Sequence, residues 1–369
     1  TSRVIFNNIK INLDKIKMNK EKKMIKTNNN QQKGFTLMEL LVGLLLSMGA
    51  LLLIANVMLG FEGQKRSTTQ LSTATQNGAL GLFVIEREIK MAGYGMNDKM
   101  FFGCKILAHD DLLGRDFTLT FVPVIIDFGA DDATPDTITV SYSDSDLISL
   151  PATLTANMPS ASSVYPVDNR FGFKEGDLII VVEEGKDCVL AQISNLPTNA
   201  GQRQNILHGS GNYTTPDGKQ EPTRYNKPSG LGVPYDTGGK VFNLGAAPVV
   251  IIFSILNNNL AVQKTLTMAA PQQFMDNIVN LKADYGKDTN GDGVVDVWNR
   301  VVPATNNEWQ QIIAIRTAVL ARSHQPEKPD PATGQCFITN NNVIPWLGGN
   351  FDISGLPDWR CYRYRVFET

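Results

Sequence analysis

Residues 40–61, LLVGLLLSMGALLLIANVMLGF, run for 22 positions without a charged side chain. A helix needs about 20 such residues to cross about 30 Å of hydrocarbon. A core helix of a soluble domain rarely stays apolar on every side over that length. The run therefore predicts one membrane-spanning helix. After Phe61 the chain turns polar, yet Leu71, Ala74, Gly78, Leu82, Ile85 and Ile89 recur every three or four positions. That spacing makes one helical stripe. Gly93 and Gly95 close it, as glycines commonly do at helix ends. A single helix of roughly 55 residues is expected over 37–92, lipid-facing first and amphipathic afterwards. At 1.5 Å per residue it would be about 80 Å long.

Beyond this helix the apolar period shortens. Strands are expected at 118–126, 137–142, 178–183, 189–194, 249–256, 260–266, 312–322 and 361–367, from β-branched enrichment and alternation. Asn257-Asn258-Asn259 reads as a hairpin turn between two of them. Residues 271–280 read as a short helix. Stretches rich in Gly, Pro, Asn and Thr at 151–169, 197–239 and 325–350 read as loops. Short strands with adjacent connections imply an α+β fold: an antiparallel sheet packed on the amphipathic half of the long helix.

Charge divides the chain at the start of the apolar run. The whole sequence of 369 residues is nearly neutral, at −2. Residues 1–34 carry nine basic and two acidic side chains, a net of +7, which leaves −9 on the remaining 335. The positive-inside tendency puts the basic head in the cytoplasm and exports the acidic body. No global basic footprint points to nucleic acid. The apolar run is too long for an ordinary signal peptide, and Glu62-Gly63-Gln64-Lys65 after it has no Ala-x-Ala pattern. Glu39 stands at the head of the run, where a carboxylate costs about 2.5–3.5 kcal/mol on insertion scales and calls for a partner.

Lys33-Gly34-Phe35-Thr36-Leu37-Met38-Glu39 resembles the class III signal of type IV pilins and type II secretion pseudopilins. Gln76-Asn77-Gly78, followed by Glu86-Arg87-Glu88-Ile89-Lys90-Met91-Ala92-Gly93-Tyr94-Gly95, resembles the PilW family of minor pilins. Ala79 stands where that family commonly has Arg. The resemblance is strong over 33–95 and thinner beyond, where 176–179 and 285–296 carry it. It implies a type IV pilin-like fold. A prepilin peptidase would cut between Gly34 and Phe35 and methylate the new amine of Phe35. Residues 1–34 would then be a leader, 35–61 the transmembrane assembly helix, 62–95 its amphipathic continuation and 96–369 an exported β-rich domain. Met18 or Met24 would each give a shorter leader. Glu39 would pair with the N-terminal amine of a neighbouring subunit and set the filament register. Implied partners are other minor pilins, the major pilin, the inner-membrane assembly platform and the inner membrane itself. The implied role is a minor pilin that primes assembly; the alternatives are a J-type pseudopilin and a membrane-anchored periplasmic hydrolase.

Cys104, Cys188, Cys336 and Cys361 all follow the apolar run, on the side expected to be oxidising. Four cysteines allow three connectivities. Cys336–Cys361 with Cys104–Cys188 is the favoured one, because the first would resemble the stapled C-terminal loops of many pilins and contribute about 3 kcal/mol on the chain-entropy model. Asp288-Thr289-Asn290-Gly291-Asp292-Gly293-Val294-Val295-Asp296 follows D-x-[DN]-x-D-G. Asp288, Asn290, Asp292 and Asp296 offer oxygens at positions 1, 3, 5 and 9, a set that suits Ca²⁺. Asn299 replaces the bidentate Glu of position 12, so a weaker site or a bare Asp/Asn/Gly turn are the two readings. Enzyme motifs are missing. His109, His208 and His324 lie far apart in sequence, Gly239-Lys240 fails as a phosphate loop and no G-x-S-x-G occurs, so no catalysis is expected.

Overall fold

The computed structural model describes residues 35–369 apart from 148, 149, 159, 163 and 268. Gly34 and the expected leader lie outside the described residues. The chain forms two compact units, residues 1–65 and 66–369. One α-helix, Leu37–Met91, contributes to both and has 55 residues. In the first unit its span Leu37–Met58 has no buried side chain and is long and apolar enough to cross a membrane.

In the second unit the helix shows the expected stripe from Ala74 onward, whereas Leu71, expected in it, is exposed. Ala74, Leu82 and Ile85 are buried, while Leu80 and Phe83 on other faces are exposed. Leu82 and Ile85 join one core with Ile126, Ile138 and Val140, with Phe253 and Leu260, and with Ile278 and Leu281. That core lies between the helix and two sheets. The first, five-stranded, is ordered Gln272–Asp276, Asn259–Lys264, Val249–Leu256, Thr137–Tyr142, Val124–Asp127. The second, four-stranded, is ordered Val297–Asn299, Ile278–Lys287, Ile312–Arg322, Tyr364–Glu368. A six-stranded sheet, built largely from 104–245, has a separate core on each face. Its neighbours Cys104–Asp110 and Cys188–Gln192 run parallel, a departure from the all-antiparallel expectation.

Several elements differ from expectation. Residues 271–280 are not a helix: they hold the strand Gln272–Asp276 and the start of Ile278–Lys287, joined through Asn277 at φ 61°. A left-handed residue breaks a helix but suits a tight turn, and Asn tolerates it. The stretch 118–126 is two strands, Arg115–Phe121 and Val124–Asp127, interrupted before Pro123, which cannot donate to a ladder. Cys104–Asp110 and Lys240–Gly245 are further strands. The 151–169, 197–239 and 325–350 stretches contain short strands, among them Tyr165–Pro166, Asn205–Ile206, Asn212–Thr214 and Val343–Trp346. The Asn turn is as expected: Asn257 and Asn258 both have positive φ, 52° and 61°, in the hairpin joining Val249–Leu256 to Asn259–Lys264. Positive φ at both central residues is the type I′ pattern that matches strand twist.

Candidate functional site

Glu39 caps its own helix. The Thr36 amide and hydroxyl both donate to Glu39 Oε2 at 3.0 Å, and the Glu39 amide donates back to Thr36 Oγ1 at 3.3 Å. Two otherwise unpaired N–H groups are thereby satisfied, in the reciprocal pattern S/T-x-x-E. Thr36-x-x-Glu39 carries this signal in the sequence, beside the register role expected of Glu39. Both bonds fall on one carboxylate oxygen. A second group that approached Oε1 would leave the cap in place.

The far half of the helix is docked by its polar and glycine positions. Asn77 Nδ2 donates to the Asp276 carbonyl at 3.1 Å, just before the left-handed Asn277. Gly78 has no side chain because the ring of Phe367 occupies that space. Glu88 is buried and accepts from the Tyr142 hydroxyl at 2.6 Å and from Arg87 Nε at 3.0 Å. Burial, then that bond, pushes the Tyr142 hydroxyl up to about 12. At the helix end the Gly93 amide donates to the Ser141 carbonyl at 2.9 Å, and Ser143 donates to the Tyr94 carbonyl at 2.8 Å. Gly95, at φ 81°, lies against the Ser143 side chain, where a Cβ has no room. The Gln76-Asn77-Gly78 and Met91–Gly95 text is thus the seam between helix and sheets.

A buried ionic cluster lies beneath the four-stranded sheet. Arg300 holds Asp136 with two parallel bonds, at 2.7 and 3.0 Å. Lys282, 1% exposed, donates to the carbonyls of Asp131 and Thr134 at 2.7 and 2.6 Å and lies 3.5 Å from Asp136. Burial pulls its ammonium down from the usual lysine range, against the attraction of Asp136. Asp284 pairs with Arg316, whose guanidinium lies 4.7 Å from the ring centre of Trp298 and 5.4 Å from that of Trp346. No local motif announces these partners, which lie 164 residues apart in the Asp136–Arg300 case.

Disulfides join Cys104 to Cys188 and Cys336 to Cys361. Each removes conformations from the unfolded chain, and the loops closed span 84 and 25 residues.

The turn at 288–296 is exposed and tied by its own amides. Asp288 accepts from Gly291 N at 2.6 Å and Gly293 N at 2.8 Å. Gly291 and Gly293 both have φ 83°. Asp296 accepts from the Thr289 amide and hydroxyl at 2.8 and 2.7 Å. The amide bonds to Gly293 hold the Asp288 carboxyl below its usual range, and the Thr289 hydroxyl does the same for Asp296. Asn290 Nδ2 donates to Asp292 Oδ2 at 3.2 Å and to Asp296 Oδ1 at 3.3 Å. An amide thus stands between two carboxylates. The oxygen set is of the kind a hard cation takes. To surround one, Asn290 would have to turn its oxygen inward. Among the described residues no three His, Cys, Asp or Glu side chains share a metal-holding geometry.

No curated protein and no solved structure matches the chain. Residues 254–369 match the family model described as Type IV Pilus-assembly protein W. The match covers the four-stranded sheet, the 288–296 turn and the Cys336–Cys361 loop, where the resemblance read from sequence was thin, and it stops short of the helix. Over that segment the chain is similar to a type IV pilus-assembly family.

Proposed function

We propose that this chain is a minor pilin of the type IV pilus, PilW-like, that primes assembly and enters the filament at or near its tip. The observation that carries the reading is the 55-residue helix Leu37–Met91. Its first part is apolar on all sides and unburied; its later part buries a stripe against sheets. A helix of that kind can change environment from lipid to a bundle of like helices without refolding. The family match to residues 254–369 supports the pilus setting.

In this proposal a prepilin peptidase removes residues 1–34 and methylates Phe35. The basic head stays in the cytoplasm, the body enters the periplasm, and the processed subunit leaves the inner membrane for the pilus. The assembly platform, other minor pilins and the major pilin are its partners. Glu39 offers Oε1 to the amine of a neighbour while Oε2 stays with Thr36. Calcium in the 288–296 turn is part of the proposal, supported by its D-x-N-x-D-G-x-x-D spacing. We assign no catalytic role.

Deleting the gene in a retraction-deficient strain tests the role. Surface pili are expected to fall sharply and to return with a plasmid copy. Unchanged pili with a lost secreted protein would favour the J-type pseudopilin instead.

A further inference from the structure

The outer strand of the four-stranded sheet is unusually bare. Val297–Asn299 pairs with Ile278–Lys287 on one side, and among the described residues no strand pairs with its other side. Around it Val294, Val297, Trp298, Val301 and Val302 are all exposed. Sheet edges are normally blunted by Lys, Pro or inward charge. The opposite edge of this sheet, Tyr364–Glu368, carries Arg365, whose side chain reaches Thr75. The Val297–Asn299 edge is limited only by its length of three residues.

The strand is also held rigid from behind. Trp298 lies against Gly286, where a Cβ would come within 2.9 Å of its ring. Arg316 lies over the ring of Trp298. Arg300, just past the strand, is anchored on buried Asp136. A preformed strand loses little entropy when another strand joins it. The adjoining turn supplies charge. Asp292 and Asp296 are exposed and Asp288 is half-buried, and among the described residues no Lys or Arg forms an ion pair with them. An unpaired ladder, exposed valines and uncompensated aspartates together select an extended, apolar and cationic segment.

We propose that the Val297–Asn299 edge docks an extended segment of another protein, one in which Lys or Arg alternates with aliphatic side chains, as an added strand. This goes beyond the anchor and register reading and does not depend on it; it concerns the calcium-free turn, since Ca²⁺ on these aspartates would neutralise the charge, and the binding is therefore measured in chelator.

The test uses the full chain in detergent micelles. The probes are two blocked, fluorescently labelled nonapeptides, one alternating lysine with valine and one alternating glutamate with valine. Anisotropy should show the lysine peptide binding at least ten-fold more tightly, with the difference shrinking as salt rises. Val297→Lys should weaken it at least ten-fold with the melting temperature retained; Val301→Lys serves if that variant fails to fold. Equal binding of the two peptides would overturn the proposal, as would lysine-peptide binding that survives both substitutions. Self-association of the wild-type chain that Val297→Lys abolishes, without peptide binding, would make a second copy the occupant and also overturn it. So would calcium binding with no peptide binding.

Discussion

The ring of Phe367, in the last strand, fills the place where Gly78 of the long helix would carry a side chain. This contact joins the helix to the end of the chain. Gly78→Ala should gain about 1 kcal/mol of helix propensity. It should lose more to overpacking, which typically costs about 1–3 kcal/mol. The net expectation is a lower melting temperature, with Gly78→Val lower still. A rise in melting temperature for Gly78→Ala would mean that the ring moves aside freely.

The Thr36–Glu39 cap separates two roles of one carboxylate. Thr36→Val removes the hydroxyl and should cost about 1 kcal/mol at the helix end, while Thr36→Ser should restore it. Glu39→Ala should be processed normally yet assemble poorly, because both the cap and the proposed partner of the neighbouring amine are gone. Immunoblots report processing and pilus counts report assembly. Wild-type piliation in the Glu39→Ala strain would refute the register role.

Leader removal has its own test. Gly34→Ala should leave the chain at its unprocessed mass, read by intact-protein mass spectrometry from membranes. A processed Phe35 terminus in that variant would sink the cleavage assignment.

Calcium is expected to raise the melting temperature of the wild-type chain in the millimolar range that suits weak extracellular sites. Asp292→Ala should abolish the rise without lowering the calcium-free melting temperature. Identical melting with and without calcium would leave 288–296 as a turn held by its own amides.

Acid sensitivity should reside partly in Asp110, which is fully buried and gripped by Arg224 at 2.8 and 2.7 Å. The Arg224 bonds hold its carboxyl below the usual range, against burial. A folded-state value under the unfolded one, about 3.9, stabilises the protein at neutral pH. That contribution is lost as pH falls below about 4 and through the folded value. Asp110→Asn should therefore be less stable at pH 7 and show a flatter decline in acid. Parallel wild-type and variant curves from pH 7 to pH 2, in urea titrations, would count against it.

How much was legible depended on whether the signal is local. The long helix was, because an uncharged run and a three-four stripe are properties of neighbours in sequence. Strands 137–142, 249–256 and 312–322 were, through their β-branched residues, and they match the observed bounds. Residues 278–287 were not, because that central strand is buried on both faces and shows no alternation. Thr36-x-x-Glu39 is a local capping signal, legible in four residues. The Asp136–Arg300–Lys282 cluster was out of reach, since only the folded chain brings an interstrand loop at 131–136 onto residues 282 and 300. For the same reason Trp298 could be placed near a turn but not over Arg316.

That cluster bears on what the matched segment can do alone. Residues 254–369 contain Lys282 and Arg300, but Asp136 and the carbonyls of Asp131 and Thr134 come from outside it. The segment also begins inside the strand Val249–Leu256. Cut free, it would leave Lys282, 1% exposed, without Asp136 and without both carbonyls, while Arg300 would keep only Asp284 at 3.6 Å as counter-charge; a buried charge stripped of its partner costs about 3–5 kcal/mol. The segment that matches the pilus-assembly family model is therefore expected to lose stability when it is separated from the 131–136 loop. Asp136, the part of its counter-charge that faces Lys282, is carried more than a hundred residues upstream, so a protein that receives this segment must supply an aspartate in that place.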